Sequence, residues 1–89
     1  MSHIQISNDI VYRELDGSIV TLSLATGEYV ELDLVGTRIW QLIEQDGRRS
    51  SVREGVLASF DIDEHTCDQE LDAFLSTLAA KGLILITAN

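Results

Sequence analysis

The densest set of chemistry-bearing residues in the 89-residue chain is DIDEHTCD, residues 61–68. It brings together four carboxylates, an imidazole (His65) and a thiol (Cys67). Two chemistries use such groups. A metal site needs ligands at set spacings, and this run has neither the paired CxxC or HxxxH spacing of zinc sites nor the glycine of a calcium loop. Acidic residues just before and inside a helix's first turn are accounted for by capping and by the helix dipole, so no metal and no cofactor is expected. Nucleophilic catalysis needs a base within reach of the thiol and a third group to orient it. His65 and Cys67 stand at i and i+2, which on a helix points them to different faces. Cys67 therefore reads as a small core residue. The other histidine, His3, falls in a terminus expected to fray.

The basic residues Arg48, Arg49 and Arg53 form the one cationic cluster. A nucleic-acid reader needs such a cluster on a face that releases counterions from phosphate. Here Glu44, Asp46 and Glu54 surround it, and the helix best placed to read a groove carries Asp68, Glu70 and Asp72. The net charge of −9, from 15 acidic and 6 basic side chains, opposes phosphate further. No nucleic-acid partner is expected, and a winged-helix DNA reader stands only as an alternative. The same acidity favours solubility, or a basic or neutral partner.

These residues must be held by a single small domain, 1–89, since a chain of this length has room for one core. Its 45% hydrophobic content suffices to build that core. One cysteine excludes an internal disulfide. The opening MSHIQISND has no basic start or long apolar run, and no segment approaches the ~20 apolar residues of a membrane span, so a cytoplasmic protein without a membrane partner is expected.

The elements follow from periodicity. Residues 10–15 alternate as a first strand, and Asp16-Gly17 is a tight-turn signal. Residues 19–24 form a second strand with Val20, Leu22 and Leu24 on one face. After Ala25-Thr26-Gly27, residues 28–33 form a third, with Val30 and Leu32 facing the core and Tyr29, Glu31 and Asp33 facing away. Helical spacing then takes over without a linker. The first helix covers about 34–45, with Asp33 as N-cap. A second opens at a capping box, Ser51-x-x-Glu54. A third covers about 64–81 and ends before Gly82 as the C′ residue. The apolar tail at 83–87 either adds a strand or packs on the core. The expected fold is α+β: a three-stranded antiparallel sheet followed by three helices, resembling a winged helix-turn-helix.

The ordered set of residues carries a family resemblance. Gly27 and Tyr29 are followed by Leu32-Asp33, Gly36, Ile39-Trp40 and Leu42-Ile43. Then come Ser50, Phe60-Asp61-Ile62-Asp63, the Leu71, Phe74, Leu75 and Leu78 stripe, and Gly82-Leu83-Ile84. Across about 10–87 the chain resembles the PqqD-like family, the RiPP recognition elements. That resemblance implies a binding protein and not an enzyme. A leader segment of a ribosomally made precursor peptide would add as an extra strand beside the third strand, in the cleft with the third helix. Implied site residues are Glu28, Tyr29, Val30, Glu31, Leu32 and Asp33 on the strand, with Cys67, Asp68, Leu71, Asp72 and Leu75 on the helix. Val30, Leu32, Leu71 and Leu75 would supply pockets, and Asp68 and Asp72 a rim that favours basic leader residues. The free-standing length is similar to that of lasso-peptide leader-binding proteins, whose partners are a leader peptidase (a cysteine protease) and an ATP-dependent cyclase. A peptide chaperone for a radical maturation enzyme is the alternative within the family. Asp33 stands where many relatives have Asn.

Overall fold

Alternation of Ile4 and Ile6 with polar neighbours, at one end of the chain, matches the apolar tail at the other. In the computed structural model, which describes residues 2–88, these two segments pair. The element order is β1 (Ser2–Ile6), β2 (Ile10–Leu15), β3 (Ser18–Ser23), β4 (Tyr29–Glu31), α1 (Leu34–Gln45), α2 (Arg49–Ser59), α3 (Glu64–Ala80) and β5 (Ile84–Ala88). β1 and β5 form an antiparallel two-stranded sheet, with Ile4 opposite Ile86 and Ile6 opposite Ile84. The expectation of a frayed N-terminus is therefore corrected: Ile4 is buried, and His3 bridges to Arg48. The tail becomes a strand on β1 and leaves the other sheet alone.

That other sheet is the expected meander, in the order β2-β3-β4. Asp16 and Gly17 both have positive φ, 54° and 84°, as the two-residue turn between Leu15 and Ser18 requires. Its faces correct the expected pattern for β3. Ile19, Thr21 and Ser23 are the buried residues, while Leu24 is 63% exposed and Val20 and Leu22 are only half-buried. The inward hydroxyls have work to do: Thr21 Oγ1 donates to the Val30 carbonyl at 3.2 Å, and Ser23 Oγ accepts from the Thr26 N–H at 3.3 Å.

The junction from β4 to α1 is made by two side chains. Asp33 caps α1, its Oδ1 accepting the Gly36 N–H at 2.8 Å. Thr37 lies one turn further on and is buried. Register places Ile19 opposite Leu32, a pair that would normally exchange two backbone bonds. One is present, from Leu32 N–H to the Ile19 carbonyl at 2.8 Å. The other is relayed: the Ile19 N–H donates to Thr37 Oγ1 at 3.0 Å, and that hydroxyl donates to the Leu32 carbonyl at 3.3 Å. The hydroxyl fills the gap opened as the chain leaves the sheet.

The helices close over this frame. Trp40 and Ile39 from α1, Val52 and Val56 from α2, and Leu71, Leu75 and Leu78 from α3 share one buried cluster with Ile4, Ile19 and Leu32. Tyr12 meets Trp40 edge-on, with ring centroids 5.3 Å apart, and its hydroxyl donates to Glu44 Oε2 at 2.7 Å. The second helix starts at Arg49, two residues before the expected capping box. Asp46 is the reason: its carboxylate accepts the Arg48 N–H, the Arg48 side chain and the Ser51 hydroxyl, so Ser51 is not an N-cap. α3 is capped by Asp63, which accepts the Thr66 N–H at 2.7 Å, and Gly82 follows with φ 76°.

α2 and α3 are also tied by charge. Arg53 Nε donates to Asp68 at 2.6 Å and its Nη2 to Glu64 at 3.1 Å, while Arg49 pairs with Asp72. Hydrogen bonding from Arg53 holds the Asp68 carboxyl below the ordinary 3.8, and the Thr66 N–H does the same for Asp63.

Two outcomes follow. Thr37→Val strands the Ile19 N–H and the Leu32 carbonyl in the core, and urea unfolding should show a loss of about 1–3 kcal/mol, with Thr37→Ser retaining most of the stability. Because Asp63 and Asp68 have lowered folded-state values, the stability they contribute is complete above 3.8 and is lost as pH falls through the folded values. Urea midpoints should accordingly hold steady from neutral pH and decline below about pH 4, less steeply in Asp68→Asn.

Candidate functional site

β4 pairs with β3 on one side, and among the described residues no strand pairs with it on the other. Antiparallel alternation decides which groups line that open edge. The Ser23 N–H donates to the Glu28 carbonyl at 3.0 Å, and the Leu32 N–H to Ile19. Glu28, Val30 and Leu32 thus turn their backbone groups toward β3. Tyr29 and Glu31 turn theirs outward, giving two N–H and two C=O groups on an unpaired edge.

An apolar pocket of about 370 Å³ begins at Asp33, two residues beyond β4. Gly36 and Ile39 of α1 form one wall, Val56 and Phe60 another, and α3 supplies Cys67, Leu71 and Phe74. Phe74 lies directly over Gly36: a Cβ there would stand 3.0 Å from the ring and 3.1 Å from Asp33 Oδ1. The absent side chain lets the aromatic wall close down on the start of α1. Asp33, Thr66 and Glu70 complete the lining with polar groups.

The sequence-derived site residues divide between this region and elsewhere. Glu28, Tyr29, Glu31 and Asp33 are exposed, Tyr29 by 70%, and Val30 is half-buried against the core. Leu32, Cys67, Leu71 and Leu75 are all buried core residues. Of these, Cys67 and Leu71 line the pocket, and Leu75 and Leu32 do not. Asp68 and Asp72 face α2, where Arg53 and Arg49 pair with them, so their charge is matched within the fold. The same pairs neutralise two of the three arginines that a nucleic-acid reader would use. Arg48 is taken by Asp46 at 2.7 Å.

Of the pocket lining, residue-by-residue reading reached only Asp33, Cys67 and Leu71, and missed the rest, Gly36 and Phe74 above all. Phe74 was legible as part of an apolar stripe, but half-buried and at the stripe's edge it forms a wall and not the core's centre. A glycine one turn into a helix, at Gly36, was the available signal that something large approaches.

Much of DIDEHTCD is employed in structure. Asp63 caps α3, Glu64 and Asp68 take Arg53, and the Cys67 thiol is buried with the Arg53 carbonyl 3.9 Å away. Burial pushes that thiol's pKa up, away from thiolate character. His65 is exposed. No helix among the described residues is long and apolar enough to cross a membrane.

Comparisons with known proteins agree with this architecture. Residues 18–84 match the family described as coenzyme PQQ synthesis protein D (PqqD). No curated protein matches the chain. Among solved structures, TbiB1 in complex with the TbiA(beta) leader peptide is 36% identical, with a TM-score of 0.88 over 96% of this chain and 99% of that one. A lasso peptide synthetase B1 complexed with the leader peptide has the same fold at 18% identity, with a TM-score of 0.83 over 93% and 98% of the two chains. With the family match running from β3 through α3 to the start of β5, the chain belongs to the PqqD family.

Proposed function

We propose that this protein binds the leader segment of a ribosomally synthesised precursor peptide by strand addition to β4. It then presents that precursor to the maturation enzymes of a lasso-peptide pathway in the cytoplasm: a leader peptidase and an ATP-dependent cyclase. The observation that carries the proposal is an open strand edge, held rigid by the Thr37 relay, beside a preformed apolar pocket. It is supported by the likeness to TbiB1, a protein solved with its leader peptide bound, over nearly the full length of both chains. The family match on its own also accommodates a chaperone for a radical maturation enzyme, and the likeness to two leader-bound B1 structures, one of them a lasso peptide synthetase B1, supports the lasso pathway.

Energetics are adequate. The outward groups of Tyr29 and Glu31 offer four main-chain bonds, worth roughly 0.5–1.5 kcal/mol each net. One or two apolar leader side chains in the pocket add roughly 1.5–3 kcal/mol apiece before ordering costs. Those gross sums run from about 3.5 to 12 kcal/mol, so their upper part exceeds the ~8 kcal/mol of a 1 μM complex before association and ordering costs are subtracted. Backbone pairing tolerates many sequences, so the pocket under Phe74 supplies selectivity. The protein itself performs no catalysis in this proposal. Holding the precursor raises its effective concentration at enzymes that do.

Strand addition has a periodic signature. A synthetic leader peptide, with the TbiA(beta) leader as the first probe, N-methylated at alternate residues, should lose about tenfold or more in calorimetric affinity in one register and little in the other. Phe74→Ala should weaken the unmodified leader about tenfold while far-UV circular dichroism is unchanged. Equal binding by both methylated registers would contradict strand addition.

A further inference from the structure

The outward face of the meander is inverted relative to an ordinary half-buried sheet. β3 buries Thr21 and Ser23 and turns Val20 and Leu22 away from the core, followed by the exposed Leu24. Cross-strand register then builds two rows on that outer face. In one, Val11, Leu22 and Tyr29 stand side by side across β2, β3 and β4. In the other, Val20 is flanked by Arg13 on β2 and Glu31 on β4. Val11 is 46% exposed and Tyr29 70%, so the apolar row lies open. A contiguous apolar face on a small acidic protein marks an interaction surface.

The charges on this face identify its occupant. Arg13 and Glu31 are of opposite sign, and among the described residues neither makes an ion pair. They sit at the same level on either side of β3, with Val20 between them. A two-fold axis running along β3 exchanges the β2 side for the β4 side without changing level. A second copy related by that axis puts Arg13 opposite the partner copy's Glu31, and Glu31 opposite its Arg13. Val11 then faces Tyr29, and Val20 and Leu22 each face their own counterparts. Within these two rows every position meets a compatible one. An isologous contact requires this self-complementarity, and an unrelated partner would have no reason to produce it.

We propose that the outer face of the β2-β3-β4 sheet is a homodimer interface, formed by two copies packed face to face about an axis along β3. The packing is the aligned sheet-on-sheet kind, with the sheets about 10 Å apart and crossing at about 30°. Three short strands make a small interface, in the range below about 1,200 Å² of total buried area where association is weak and reversible. The overall charge of −9 on each copy also opposes association, and physiological salt screens it to about 8 Å. The open edge of β4 lies at the side of such a sandwich, so a dimer keeps two separate strand-addition sites.

Sedimentation equilibrium of the full chain at about 0.15 M salt tests this without any leader peptide, so its result is independent of the function proposed above. The apparent mass should rise from monomer toward dimer as concentration passes about 0.1 mM. Arg13→Glu alone and Glu31→Arg alone should each weaken association about tenfold, and the double exchange should restore it to within about threefold of wild type. Leu22→Lys should leave a monomer with an unchanged circular dichroism spectrum. A wild-type chain that stays monomeric to about 1 mM would overturn the proposal. So would an exchanged double variant that associates no better than either single one.

Discussion

One hydroxyl decides where the sheet ends and the helical layer begins. Thr37 occupies the second hydrogen-bonded position of the Ile19–Leu32 pair, receiving from one backbone and donating to the other. Without it, β4 would either continue along β3 or peel away with two buried groups unsatisfied. With it, the chain turns within two residues, Asp33 caps the helix, and β4 stays fixed at three residues. The brevity has a consequence for function. A short strand, pinned at its exit, presents Tyr29 and Glu31 with little freedom to lose on pairing, so an added strand pays less ordering cost.

Charge is arranged so that it does not interfere. Half of the basic side chains are ion-paired inside the fold: Arg48 with Asp46, Arg49 with Asp72, and Arg53 with Asp68 and Glu64. The Arg49 and Arg53 pairs fasten α2 to α3, two of the helices that wall the pocket. They also leave the excess acid dispersed over the surface, which disfavours nucleic acid without creating a single acidic binding site. Selectivity at the proposed site therefore rests on shape and apolar contact under Phe74, with Asp33 and Glu70 as polar neighbours.

How much of this was legible in the sequence depends on how local each cause is. Asp16-Gly17, Asp33, Asp63 and Gly82 act within a few residues, and their turn and cap roles could be read directly. The strand β1 could not: its partner lies about eighty residues away, and five residues with two isoleucines carry too little periodicity alone. The face of β3 misled because Val20 and Leu22 look like core, whereas Thr21 and Ser23 are inside for their hydroxyls. The pairing of Asp68 and Asp72 with Arg53 and Arg49 was not legible, since which face of α3 meets α2 is a tertiary fact. Thr37 left no sequence signal, because a threonine one turn into a helix is unremarkable until the strand beside it is seen. The peptide-binding role came from the family resemblance, and the edge geometry supplies its physical basis.

Amide hydrogen exchange at three adjacent residues tests the central claim most directly. In the free protein the Val30 amide, bonded to β3, should exchange slowly, while those of Tyr29 and Glu31 on the open edge should exchange quickly. A saturating cognate leader should slow Tyr29 and Glu31 by about tenfold or more and leave Val30 little changed. If both edge amides exchange as fast with the leader bound as without it, the leader does not pair with β4 and the account is wrong.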